Sequence, residues 1–100
     1  MVDMNYIGIV VKILEKPIQK VINGKIVRTD FRVQLVHVRN IQIANLVFWG
    51  IIGQDVSHNY QPNDYIMVEG YVALTNKMNN KLIKRSMKKV QITVLKAYSV

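Results

Sequence analysis

Apolar and polar positions along this chain alternate with a period of two far more often than with the period of a helix, so nearly every ordered segment reads as strand. Asn5 to Leu14 is dense in Ile and Val, which suit a pleated, half-buried surface. That segment ends at Lys16-Pro17, because proline cannot donate to a sheet ladder. In Val21-Ile22-Asn23-Gly24-Lys25-Ile26-Val27, the Asn-Gly pair between apolar residues is a strong hairpin signal. Phe31, Val33, Leu35 and His37 then alternate with Arg32, Gln34, Val36 and Val38, which puts Arg32 and Gln34 on the side away from Phe31 and Leu35.

The next strand, Asn-Leu-Val-Phe-Trp, carries the only tryptophan and stops at Gly50. If Leu46 and Phe48 face the core, Val47 and Trp49 face away from it; if Phe48 turns outward, Trp49 is core. Periodicity leaves both readings open. Between Gly53 and Tyr60 lies the only stretch with helical character, and it is short. Gln61-Pro62-Asn63-Asp64 is turn chemistry. Tyr65 to Thr75 is again strand, with Ile66, Val68, Val72 and Leu74 on one face and Met67, Glu69, Tyr71 and Ala73 on the other. Gly70 within it predicts a bulge or sharp bend. Residues 76–81 form the tip of a basic hairpin, and a last strand carrying Val90, Ile92 and Val94 runs to the end.

One hundred residues predict a single domain over 1–100. No apolar run reaches the roughly 18 residues that span a bilayer, so no membrane partner is expected. With no cysteine, disulfides and thiolate metal sites are excluded, and His37 and His58 alone do not make a metal centre. No nucleophile and base set, paired carboxylates or phosphate-binding glycine loop is present, so the expected protein has no catalytic residues and no cofactor. The net charge is +8, and its distribution changes the picture. All six acids lie at or before Glu69, whereas Lys77, Lys81, Lys84, Arg85, Lys88, Lys89 and Lys96 follow it. A one-sided field of this kind suits a polyanion. Heavy use of Ile, Lys and Asn points to an AT-rich genome, such as that of a plastid or a low-GC bacterium.

Five strands with a short helix between the third and fourth are the layout of the OB-fold. The expected fold is therefore an all-β, five-stranded barrel with a basic hairpin between strands four and five; an antiparallel sandwich is the alternative. Asn-Tyr-Ile-Gly-Ile-Val, Phe-Arg-Val-Gln-Leu, Asn-Leu-Val-Phe-Trp-Gly and Asp-Tyr-Ile-Met-Val-Glu-Gly-Tyr-Val resemble, in order, the first four strands of the bacterial single-stranded DNA-binding protein (SSB) family. Lys-Pro-Ile-Gln-Lys-Val-Ile-Asn-Gly and the basic hairpin are similar to its primosomal relative PriB. Short SSB-like proteins of red-algal plastids and cyanobacteria fit the residue usage as well.

The resemblance implies sequence-tolerant binding of single-stranded DNA in replication, repair or recombination. Trp49 falls where the family places a base-stacking aromatic, and Tyr71 is a candidate second platform. Arg32, Gln34, Lys77, Lys81, Lys84, Arg85 and Lys88 are the expected polar and phosphate contacts. Ile43 stands where the family has a tryptophan, and Lys77 and its neighbours replace a hairpin aromatic. Stacking should therefore be sparser and salt dependence steeper. No acidic C-terminal tail of the family's kind is expected after the barrel. The family assembles as dimers or tetramers, and the apolar first strand, through Ile7, Ile9, Val10 and Val11, is the expected interface. The expected location is the plastid stroma or nucleoid, or the bacterial cytoplasm. Two alternatives stay open: a PriB-like module that docks onto a primosome or other replication proteins, and an RNA-binding protein.

Overall fold

Six strands and one helix follow one another as β1 (Tyr6–Ile13), β2 (Ile18–Ile22), β3 (Ile26–Leu35), β4 (Ile43–Trp49), α1 (Ile51–Asn59), β5 (Tyr65–Lys77) and β6 (Met87–Ser99). The computed structural model describes residues 5–36, 41–77 and 87–100, with the backbone alone for 75–77 and 87–88. The strands form one sheet in the order β1-β5-β6-β4-β3-β2. A second pairing of β1, with Val11 opposite Leu35 and Ile13 opposite Val33 on β3, closes it. Every neighbour is antiparallel except β4 and β6, which run parallel. A closed sheet of this order, with the helix between β4 and β5, is an OB-fold barrel.

The sixth strand is β2, which lies along the first half of β3. Its hairpin turns at Asn23 and Gly24, whose φ of 54° and 72° are the paired positive values that an Asn-Gly turn supplies. The Lys25 N–H donates to the Ile22 carbonyl at 3.2 Å. His37, expected at the end of the second alternating run, lies outside the described residues.

One parity of each strand except β2 fills the barrel: Val11 and Ile13, Phe31 and Val33, Leu46 and Phe48, Ile66 and Val68, Ile92 and Val94. The Phe31 and Phe48 rings stack with centroids 5.5 Å apart and planes 10° from parallel. Their burial resolves the alternative left open at the fourth strand: Phe48 is 0% exposed and Trp49 is 42% exposed. On β1 the inward parity is Ile7, Ile9, Val11 and Ile13. This corrects the interface expected there. Val11 is fully enclosed by its own barrel, Ile7 and Ile9 pack against that core, and only Val10, opposite Met67, faces out.

Three glycines shape the elements that carry the site. Gly50 has φ 73° and ψ −140°, a region open to glycine but costly for other residues, and its N–H donates to Val27 O at 2.8 Å. The chain therefore enters α1 at Ile51, three residues before the expected Gln54. Gly53 lets that helix settle on the barrel, since a Cβ there would stand 2.4 Å from Thr29 Oγ1. The bulge expected at Gly70 is present. Glu69 pairs with Lys96 and Gly70 with Val94, which leaves Leu95 as the extra residue of β6. A Cβ on Gly70 would lie 2.0 Å from the Thr93 carbonyl oxygen, which is backbone and has little room to yield. Gly70→Ala should accordingly lower stability by about 3 kcal/mol. Urea unfolding measures it, and an unchanged midpoint would contradict this account of the bulge.

Candidate nucleic-acid interface

The parity that fills the core with Phe31, Leu46 and Phe48 sends their sequence neighbours to the outer wall. Strand β3 presents Arg28, Asp30, Arg32 and Gln34; β4 presents Ile43, Asn45 and Trp49, with Val47 on the same side but buried; β6 presents Gln91 and Thr93. Register places these in cross-strand rows. Arg28 is opposite Trp49, Asp30 opposite Val47 and then Thr93, and Arg32 opposite Asn45 and then Gln91. The first row extends onto the hairpin, where Lys20 pairs with Arg28. The second extends the other way, from Thr93 to Tyr71 and Tyr6. The wall is thus a polar, amide-rich surface with aromatics at its margins.

Trp49 is the last residue of β4, and the turn at Gly50 carries the chain away beneath it. The Arg28 guanidinium stands 5.6 Å from the indole centroid, within cation–π range. Asp30 holds that guanidinium from the neighbouring row at 3.3 Å. Tyr71 faces outward as its alternation predicts and is 40% exposed. It meets Tyr6 edge-to-face, centroids 5.4 Å apart, while the Tyr6 hydroxyl donates to Glu69 Oε1 at 3.1 Å. Trp49 and Tyr71 are two strand spacings apart and one pleat period out of step, roughly 12 Å along the wall.

Arg32 occupies the outer face as expected, but it is not a free cation. Its Nε and Nη2 donate to Glu15 Oε2 at 3.3 and 3.2 Å, and its own backbone N–H donates to Glu15 Oε1 at 2.8 Å. Those bonds, the backbone one foremost, hold the Glu15 carboxyl below its ordinary value against an opposing desolvation. Gln34 is half-buried opposite Ile43. Lys77 and Lys88 lie where the β5–β6 ladder continues past Val90, the residue opposite Ala44 near the start of β4. Their side chains, and Lys81, Lys84 and Arg85 altogether, fall outside the described residues. Arg28 and Lys20 were not anticipated. The signal was available, since the alternation of Arg32 and Gln34 continues back through Asp30 to Arg28, but the hairpin reading of residues 21–27 cut it short. Among the described residues no cluster of His, Asp and Glu is suited to a metal ion, and no helix is long and apolar enough to cross a membrane.

No family model matches the sequence. Over 99 residues, 95% of this chain and 88% of its relative, it is 33% identical to the ycf41 protein of Trieres chinensis, which is named as a single-stranded DNA-binding protein. The fold is similar to that of the SSB domain of a Synechococcus protein, with a TM-score of 0.74, 18% identity and 98% of each chain covered. It is also similar to a small single-stranded DNA-binding protein from Streptomyces coelicolor, with a TM-score of 0.75, 12% identity and 99% and 96% coverage. The second single-stranded DNA-binding protein of Mycobacterium smegmatis matches with a TM-score of 0.72 and 18% identity, over 96% of this chain and 88% of that one. At these identities the structural likeness is one of fold.

The Glu15 pairing carries a pH dependence. A carboxyl whose folded value is depressed stabilises the protein above its unfolded value, about 4.3, and that contribution is lost as pH falls through the folded value. Glu15→Gln should therefore be less stable than the parent at pH 7, by about 1 kcal/mol or less because the pair is partly exposed. At pH 2–3 the gap should narrow. Thermal melts at both pH values check this, and a gap that widens in acid would contradict it.

Proposed function

This chain belongs to the family of single-stranded DNA-binding proteins that includes ycf41, and from that membership we propose that it binds unpaired DNA, with little regard to sequence, across the outer wall of β3, β4 and β6. The observation that carries the reading is the exposed indole of Trp49 at the end of a buried strand, facing away from a core that its neighbour Phe48 fills. A flat aromatic on such a wall is a stacking platform for any base, and each stacked base contributes about 1–3 kcal/mol. Tyr71, beyond Thr93 on the same outer surface, serves as a second platform. The partly buried amides of Asn45 and Gln91 and the half-buried Gln34 line the path between Trp49 and the start of β4. Lys77, Lys81, Lys84, Arg85 and Lys88, from the basic stretch of sequence between Lys77 and Lys89, supply phosphate contacts, and Arg32 adds less because Glu15 engages it. With Ile43 in place of an aromatic, phosphate contact outweighs stacking, and binding falls steeply with salt. The role is protection and presentation of single strands during replication, repair or recombination, without chemistry on them, in a plastid or a bacterial cytoplasm.

The same reading includes assembly into a homodimer or homotetramer. Among the described residues, the β3 side of β1 is engaged at Val11–Ile13 and by the Val36 N–H, which donates to Val10 O at 3.2 Å, while Tyr6–Ile9 are paired on the β5 side. Beside that edge Val10 pairs with Met67, and Met67 with the exposed Tyr98. A strand end beside an apolar outer row suits contact with a second copy.

Titration with oligo-dT at two salt concentrations, followed through the fluorescence of Trp49, tests the function. Binding should quench that signal and weaken with salt, and Trp49→Ala, still folded, should lose about 1–3 kcal/mol of affinity. Binding that leaves the fluorescence unchanged would move the site to the basic stretch of sequence between Lys77 and Lys89. No binding even at low salt would contradict the reading and point to a protein partner.

A further inference from the structure

The Arg28 guanidinium lies between competing neighbours. One of its terminal nitrogens, Nη2, meets the Asp30 carboxylate at 3.3 Å, and its central carbon stands 5.6 Å from the centre of the Trp49 ring. Its Nε–H is enclosed and finds no acceptor among the described residues. A buried donor left without an acceptor costs about 1–3 kcal/mol, so a well-placed acceptor would improve this arrangement. Register adds Lys20 on the far side, giving a cross-strand row of Lys20, Arg28 and Trp49 with the Asp30 carboxylate at its flank. The group that would complete the row is anionic, has several acceptor oxygens, and sits within reach of a ring stacked on the indole. A phosphate of the nucleotide whose base lies on Trp49 meets all three conditions, and a guanidinium fork matches it through two parallel hydrogen bonds.

We propose that Arg28 is a phosphate-binding residue held ready by Asp30. When a base stacks on Trp49, the guanidinium leaves the carboxylate for the phosphate beside that base. Asp30 thereby competes with the nucleic acid and sets the affinity of the site below its maximum. The inference rests on the stacking role proposed above for Trp49. It separates Arg28 from Arg32, four residues along the same face. The Arg32 guanidinium donates twice to Glu15, whose other oxygen takes the Arg32 backbone N–H, whereas the Arg28 guanidinium keeps one ion-pair contact and an unused donor.

Oligo-dT titrations over a range of salt, with the parent, Asp30→Asn, Arg28→Gln, Arg28→Lys and the Asp30→Asn/Arg28→Gln double variant, test it. Asp30→Asn should bind about two- to fivefold more tightly, the scale of a partly exposed ion pair. Arg28→Gln should bind about tenfold more weakly, and its slope of log affinity against log salt should shrink by about 0.7, the loss of one phosphate contact on a single strand. Arg28→Lys should keep the slope while losing part of the affinity, which a merely structural role would not produce. In the double variant the gain from Asp30→Asn should disappear, because its target is gone. An equal gain in both backgrounds would make Asp30 a general repulsive charge and overturn the exchange. Unchanged affinity and slope in Arg28→Gln, with binding still lost in Trp49→Ala, would remove Arg28 from the site and leave the stacking reading intact. Failure of the parent to bind would instead overturn the Trp49 reading itself. If Arg28→Gln does not fold, the slope of Arg28→Lys and the gain of Asp30→Asn decide the matter.

Discussion

The stacked pair of Phe31 and Phe48 is the contact on which the rest of the architecture turns. Both rings are fully enclosed, so both strands that carry them are locked in parity. A slip by one residue on β4 would turn Trp49 inward and expose Phe48, at a cost of about 2–3 kcal/mol for that ring alone. Every outward residue of β3 and β4, from Arg28 to Gln34 and from Ile43 to Trp49, inherits its position from that constraint. The glycine after Trp49 completes the arrangement, because its positive φ folds the chain into α1 and leaves the indole at the end of the wall.

On that wall, charge is arranged by pairing as much as by number. Two of the carboxylates near it, Glu15 and Asp30, each engage one arginine of β3, but with unequal grip. Glu15 takes both the side chain and the backbone N–H of Arg32, so that cation doubles as a clasp between β3 and the segment after β1. Asp30 meets Arg28 through a single contact beside the indole. A net charge of +8 therefore does not translate into eight equivalent contacts for a polyanion. What matters is which cations have a partner they can relinquish.

The strands were legible because their alternation is strong, and Gly70 announced its bulge because a glycine inside an apolar strand has few other uses. The direction of Trp49 was not legible from its own strand, since Leu46-Val47-Phe48-Trp49 is apolar at every position and either parity fills a core. Only the packing of Phe48 on a ring seventeen residues earlier decides it. The start of α1 was hidden for a similar reason: Ile51 and Ile52 continue the apolar run of β4, and the φ that breaks the strand belongs to Gly50. On β1 the shared parity of Ile7, Ile9, Val11 and Ile13 is visible in the sequence, but whether it faces a second copy or the core is not. The barrel consumes it, because β1 spans both β5 and β3 and needs an apolar inner face along its length. The Glu15–Arg32 clasp joins residues far apart in the chain, and no local pattern signals it.

The central claim is that Trp49 is an open stacking platform which the nucleic acid covers, and acrylamide quenching of its fluorescence with and without saturating oligo-dT tests it most directly. The account predicts ready quenching in the free protein and marked protection in the complex. An indole shielded in the free protein, or one quenched equally in the complex, would contradict it.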